Sequence, residues 1–340
     1  MRRRWWLAGP LALALLGPAW AAILVTGAGA TFPYPLYSKW FDEFHKQNPD
    51  IQINYQSIGS GGGIRQVLEG TVDFGATDGP MSDEQMKTAP VPILHLPTAL
   101  GAVVPTFNLP GVQKLQFTPD AIAGIFLGKI THWNDPTIAK DNPGVTLPAA
   151  PIVPIHRSDG SGTTYIFTDY LAKVSSTWQQ SVGRGTSVNW PVGLGGKGNE
   201  GVAGLIQQTP NAIGYVELIY ALQNKLSYAD VRNKAGEFVR PSVESVTAAA
   251  AAASANMPPD FRVSITDPPG KDAYPIASFT WLLVPTRFTD ATKGAAIKKF
   301  LGWMLNEGQS LASPLHYAPL PASVVSLEQA ALGKVTVPGG

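Results

Sequence analysis

The chain has 340 residues, 25 Lys and Arg against 24 Asp and Glu, and no cysteine. The missing cysteine excludes disulfides, thiolate metal ligands and a lipid-bearing cysteine. The near-neutral charge excludes the broad basic face that nucleic acid requires.

Residues 1–21 read as an export signal. Arg2, Arg3 and Arg4 precede an apolar run from Leu11 to Leu16, and Ala19-Trp20-Ala21 fits a small-x-small cleavage pattern before Ala22. Pro10 and Pro18 interrupt the apolar stretch, which falls short of the roughly 20 residues of a membrane span. Without the signal, 22 basic and 24 acidic side chains remain, a net charge of −2. The expectation is a periplasmic protein with no lipid tether, in which an anion site works through local dipoles and a single Arg.

Beyond Ala22, strand-like runs alternate with helical patterns, which predicts an α/β fold. Ile23 to Thr26 reads as a strand. Pro35 to Gln47 carries Leu36, Trp40, Phe41 and Phe44 at helical spacing. Ile51 to Tyr55 alternates as a half-buried strand, Ile64 to Glu69 reads as a short helix, and Val72 to Ala76 as a strand ending at Thr77-Asp78. Ile93 to Phe107 is too long and Pro-punctuated for one helix and reads as a crossing between two domains. Ile152 to His156 predicts a strand followed by a helix from about Thr164. Ala248 to Ala253 predicts a surface helix, since Ala is the best helix former. Tyr274 to Val284 reads as a second crossing, and Thr292 to Glu307 as a helix packed back on the first domain. These readings place domain I at 22–103 and 276–340, with domain II, 104–275, inserted. Two crossings permit hinge closure over a cleft.

Three segments share one form, an apolar run, then Gly with Ser or Thr, then a helix-like run. They are Gly27-Ala-Gly-Ala-Thr-Phe32, Ser57-Ile-Gly-Ser-Gly-Gly-Gly63 and Arg157-Ser-Asp-Gly-Ser-Gly-Thr-Thr164. A helix start exposes unpaired N–H groups and a partial positive charge, Gly admits a close ligand, and a hydroxyl adds a donor. Together they predict a tetrahedral oxyanion held from several sides by Ala30, Thr31, Phe32, Ser60, Ser161, Gly162 and Thr163. Arg157 offers a forked contact to the same point, with Asp159 placed to hold the fork. Asp78 is an acceptor beside an anion, which suits a ligand carrying a proton, as monohydrogen phosphate does and sulfate does not. The competing reading makes Asp78 a cap for a helix over Ser82 to Met86.

Five segments carry a resemblance. Thr26-Gly-Ala-Gly-Ala-Thr-Phe-Pro33, Tyr55-Gln-Ser-Ile-Gly-Ser-Gly-Gly-Gly63, Val72-Asp-Phe-Gly-Ala-Thr-Asp78, Asp159-Gly-Ser-Gly-Thr163 and Gly193-Leu-Gly-Gly-Lys-Gly-Asn199 resemble the phosphate-binding protein of the Pst-type ABC transporter. The resemblance covers essentially the whole mature chain. It implies a two-domain periplasmic-binding-protein fold of type II that closes over one inorganic phosphate and delivers it to membrane permease subunits, as a monomer without cofactor or nucleic acid. The ligand contacts it implies are Ala30, Thr31, Phe32, Ser60, Asp78, Arg157, Ser161, Gly162 and Thr163. The chain departs at Thr77, where Ser is frequent, and at Gly61, where a second Ser is common.

Gly196-Lys-Gly-Asn-Glu-Gly201 matches a dinucleotide pattern, but Asn189-Trp-Pro191 interrupts the strand such a site needs. His45, His95, His132, His156 and His316 are scattered, which argues against a catalytic metal. A phosphatase using Ser60 or Ser161 is the rival class, and neither Ser lies in a G-x-S-x-G elbow.

Overall fold

The computed structural model describes residues 22–338, so the export signal expected over 1–21 lies outside the described residues. The chain opens with β1 (Ile23–Gly29), α1 (Tyr34–Gln47), β2 (Ile51–Ser57), α2 (Ser60–Leu68), β3 (Phe74–Thr77) and α3 (Asp83–Thr88). A long strand, β4 (Ile93–Asn108), leads to β5 (Gln116–Phe117), α4 (Pro119–Phe126), α5 (Pro136–Ala139), β6 (Val153–Arg157), α6 (Gly162–Val174) and α7 (Ser176–Ser181). Next come β7 (Leu194–Gly196), α8 (Gly198–Gln208), β8 (Ala212–Glu217), α9 (Leu218–Gln223), β9 (Ser227–Tyr228), β10 (Asp230–Arg232) and β11 (Phe238–Val239). The chain returns through α10 (Val243–Ala255), β12 (Ala277–Pro285), α11 (Ala291–Asn306) and α12 (Ala322–Ala331).

Among the described residues, nine strands form one sheet in the order β2-β1-β3-β12-β4-β8-β6-β7, with β9 added to β4. At one end β1 pairs in parallel with β2 and β3, and at the other β6 pairs in parallel with β7 and β8. The two ends meet at β4. Up to Ala102 this strand runs antiparallel to β12, and from Val103 it runs antiparallel to β8. The result is a mixed α/β fold of two lobes with helices on both faces.

Packing explains the helix positions. On one face of the first lobe, Phe41 and Phe44 of α1 meet Phe300 of α11, both ring pairs at 5.3 Å between centroids. On the other face, Ile64 and Val67 of α2 close a smaller core with Ala28 and Leu283. The Ala-rich helix α10 forms at the surface as expected, with Thr247 and Ala251 exposed, and turns one face inward. Val246, Ala249 and Ala250 are buried, because small side chains let this face seat closely against β4 and β12.

Parallel strands gather their carboxyl ends on one side, the usual place for ligands in α/β sheets. Here β1 ends at Gly29, β2 at Ser57, β3 at Thr77, β6 at Arg157 and β7 at Gly196. Each of the predicted site segments spans the end of one of these strands.

Candidate functional site

Two helix starts and a turn converge on a buried point. In α6, Ser161 is the N-cap and its Oγ accepts from the Thr164 amide at 3.0 Å. Gly162 and Thr163 are therefore the first helical residues, and their amides have no acceptor within the helix. The helix begins two residues before the expected Thr164. In the same way α2 begins at Ser60 rather than at Ile64, so Gly61, Gly62 and Gly63 are its first turn.

Gly162 is where the two helix starts meet. A Cβ built on it would collide with Ser60 Oγ and with the Asp78 carboxyl. Beside it, the Gly61 amide donates to Gly160 O at 2.9 Å, and a Cβ on either glycine would come within 3.1 Å of the other's Cα. Only glycine allows the backbones of the two lobes to approach this closely.

The turn before α1 is set by phenols. Tyr55 Oη donates to Ala30 O at 2.8 Å, Tyr220 Oη to Thr31 O at 2.6 Å, and Tyr317 Oη to Phe32 O at 2.6 Å. In a trans peptide the carbonyl and the following N–H point opposite ways. Pinning Ala30 O and Thr31 O thus turns the Thr31 and Phe32 amides away from the phenols.

Asn199 joins the two lobes. Its Nδ2 donates to Thr31 Oγ1 at 2.7 Å and to Thr163 Oγ1 at 3.0 Å, while its Oδ1 accepts from the Glu217 amide at 2.9 Å. A hydroxyl that already accepts keeps its own hydrogen to give. Thr31 and Thr163 are therefore presented as donors.

Arg157 is fixed by its own loop. Nε and Nη2 donate to the two oxygens of Asp159 at 2.7 and 2.6 Å, and Nη1 reaches Thr163 Oγ1 at 3.3 Å. Burial pushes the Asp159 carboxyl up, but the hydrogen bonds and charge of Arg157 outweigh it and hold it below the ordinary range. Asp159 holds the guanidinium as expected, and it does so by taking Nε and Nη2.

Asp78 is 1% exposed. Its Oδ1 accepts from Thr280 Oγ1 at 2.8 Å, and its Oδ2 lies 3.4 Å from Ser60 Oγ. Burial raises its carboxyl to about 7, against the opposing pull of Thr280, Arg157 and Ser60. The alternative role falls away, because α3 is capped by Ser82 in a capping box with Gln85.

All the candidate residues are brought together. Ala30, Thr31 and Phe32 come from the turn, Ser60 and Asp78 from the same lobe, and Arg157, Ser161, Gly162 and Thr163 from the other. Sequence reasoning missed Asn199, Thr280 and the phenols of Tyr55, Tyr220 and Tyr317. Asn199 closes the Gly193–Asn199 segment quoted above, the one available signal. Contrary to the expectation that no clean strand precedes Gly196-Lys-Gly-Asn-Glu-Gly201, the three-residue β7 leads into it, parallel to β6. A surface cavity of about 810 Å³, lined by Tyr34, Ser57, Glu200 and Tyr220 among others, contains none of the candidate residues. Among the described residues there is no cluster of His, Cys, Asp and Glu able to hold a metal ion.

A family profile described as "PBP superfamily domain" matches residues 17–307. A phosphate-binding protein PstS from Xylella fastidiosa (strain Temecula1) is 48% identical over 306 residues, 89% of this chain and 83% of that protein. Another PstS, from Pasteurella multocida, is 46% identical over 308 residues, 90% of this chain and 89% of that protein. A crystal structure of a phosphate binding protein from Stenotrophomonas maltophilia superposes with a TM-score of 0.70 at 21% identity, covering 91% of this chain and 94% of that one. That last likeness bears on the fold.

Proposed function

The chain belongs to the PBP superfamily and, within it, to the PstS phosphate-binding proteins, and from that premise we propose that it captures one inorganic phosphate between its lobes. It then hands the ion to the permease subunits of an ABC transporter. The observation that carries this reading is the arrangement of donors from both lobes around one buried acceptor, Asp78. The donors are the Thr31 and Thr163 hydroxyls, the amides opening α6, and the hydrogens of the Arg157 guanidinium that Asp159 does not take.

In this reading the ligand touches Ala30, Thr31, Phe32, Ser60, Asp78, Arg157, Ser161, Gly162 and Thr163. Donors match the charged oxygens, and Asp78 Oδ2 accepts a hydrogen bond from the P–OH of monohydrogen phosphate. Fully ionised sulfate would oppose one acceptor to another, and an unpaired buried group is what makes such discrimination large. The lobes are 22–103 with 276–340, and 104–275. The partner change of β4 at Ala102 and Val103 supports that division.

We read the protein as a binder and not a hydrolase. Among the described residues, the Ser60 hydroxyl pairs with Asp78 and that of Ser161 with the Thr164 amide, while His156 Nδ1 pairs with Arg157 O. No serine–histidine pair is assembled for nucleophilic attack. In this reading residues 1–21 export the chain to the periplasm, and one copy supplies both walls of the site, so a monomer suffices. Calorimetry with phosphate, alongside release of phosphate from an aryl ester, tests the reading. Saturation at one phosphate per chain without turnover is expected, and turnover without saturable binding would overturn it.

A further inference from the structure

Thr280 lies on β12, within the second crossing and outside every segment assigned to the site from sequence, yet its hydroxyl is the closest hydrogen-bond partner of the Asp78 carboxylate. Thr280 Oγ1 donates to Asp78 Oδ1 at 2.8 Å, and both residues are buried. That bond divides the carboxylate. One oxygen is held by the strand behind it, and the other is left at Ser60 and the start of α6, on the cleft side.

The local fold explains why Thr280 points there. In the pairing of β12 with β4, Thr280 lies opposite Ala99 and Trp281 opposite Pro97. Thr98 is the extra residue of a β-bulge, and bulges beside sites re-aim side chains. The Thr98 hydroxyl donates to Thr280 O at 3.2 Å, and Tyr37 Oη lies 2.8 Å from Thr98 Oγ1. With its hydrogen spent on Thr280 O, Thr98 accepts from Tyr37. Burial, opposed in part by the Thr98 hydrogen bond, holds the Tyr37 phenol well above its ordinary range, so it stays a donor. The run of hydrogen bonds therefore has one direction, from Tyr37 through Thr98 to the Thr280 backbone, and from the Thr280 hydroxyl to Asp78.

We propose that Thr280, seated by the Thr98 bulge, is a positioning residue that keeps Asp78 an ionised acceptor with Oδ2 toward the ligand, and thereby sets selectivity for protonated over fully ionised oxyanions. This rests on the phosphate reading above. The other groups that act on Asp78 are Arg157 from β6, whose charge favours ionisation, and the Ser60 hydroxyl at Oδ2, while the Asp78 charge in turn raises the buried Glu217, Tyr37, Tyr55, Tyr220 and Tyr317 around it. None of them touches Oδ1. Removing a hydrogen bond to the charged form raises a carboxyl's pKa. Without the Thr280 hydroxyl, Asp78 holds its proton to higher pH and becomes a donor that accepts sulfate.

The test compares the parent with Thr280→Val, which keeps the shape, and Thr280→Ser, which keeps the hydroxyl. Two quantities are read: the Asp78 carboxyl titration by NMR without ligand, and the phosphate-to-sulfate affinity ratio by competition calorimetry across neutral pH. Thr280→Val is expected to raise the titration midpoint and to lower the ratio about tenfold or more at neutral pH. Thr280→Ser should match the parent in both. A Val variant with the parent's midpoint and ratio overturns the proposal, as does a Ser variant that behaves like Val. Should the Val variant fail to fold, the parent alone decides. Its buried Thr280 hydroxyl proton must show a through-bond correlation to the Asp78 carboxyl, and a hydroxyl directed elsewhere refutes the assignment. A parent that binds no phosphate would overturn the phosphate reading, while the ligand-free titration still judges Thr280.

Discussion

Among the candidate residues, Asp78 is the one whose ionised side chain only accepts, and its environment makes that ionisation expensive. Burial lifts its carboxyl from 3.8 to about 7 in the ligand-free protein. The folded chain therefore binds a proton that the unfolded chain releases, and stability from this group falls as pH rises between those two values. Asp78→Asn removes the loss. The variant should be more stable than the parent above neutral pH, by on the order of a few kcal/mol, and the gain should fade well below pH 4. Denaturant titrations of both proteins at the two pH extremes check this. A pH-independent difference would contradict it. The same substitution supplies a donor, so the phosphate-to-sulfate ratio should drop even where phosphate affinity holds. Arg157 acts in the opposite sense. Arg157→Ala removes a charge-assisted contact and strands Asp159, so phosphate binding should weaken by about 1.5–3 kcal/mol or more. Calorimetry showing parental affinity would remove Arg157 from the site. Arg157→Lys should rescue only in part, because an ammonium lacks the fork that grips both oxygens of Asp159.

At the scale of elements, the turn before α1 works because distant elements hold its carbonyls. Tyr220 sits on α9 of the inserted lobe and reaches Thr31 O at 2.6 Å. Tyr220→Phe keeps the ring and leaves that carbonyl without its donor. Phosphate affinity should fall by about 1–3 kcal/mol with little change in overall fold, as calorimetry and circular dichroism would record. Equal affinity would mean that the turn is held without this phenol. The contrast with Asp159 explains what the sequence could reveal. Asp159 lies two residues from Arg157, and the pairing is legible from the loop alone. Tyr220, Tyr317 and Thr280 act across separations of 189, 285 and 202 residues, and nothing in their own neighbourhoods marks them. The strands β1, β2, β3 and β6 are legible because alternation and apolar runs are local, whereas short strands such as β7 carry too few residues to show either. Helix starts were read late at α2 and α6 for a physical reason. A Gly-rich first turn has low helix propensity, and the neighbouring lobe stabilises it only once the fold is formed. Pro97 made β4 look irregular, and it stands beside the Thr98 bulge, where a missing N–H is tolerated.

At the scale of the molecule, the two lobes meet through contacts that an open cleft would break. These are the Gly61 amide on Gly160 O, Asn199 on Thr31, and Tyr220 on Thr31 O. Such contacts favour the closed form only when a ligand neutralises the donors that closure brings together. Adding phosphate should therefore compact the protein, seen as a smaller radius of gyration in solution scattering. An unchanged radius would mean closure without ligand. The central claim is that one phosphate is held between the lobes and chosen by its proton. Calorimetric titration of the mature chain with phosphate in a large excess of sulfate, at a pH well above 7 where Asp78 is ionised, tests this most directly. The account predicts saturation at one phosphate per chain with an affinity that sulfate leaves unchanged. Absence of saturable heat, or an affinity that falls in proportion to the sulfate added, would contradict it.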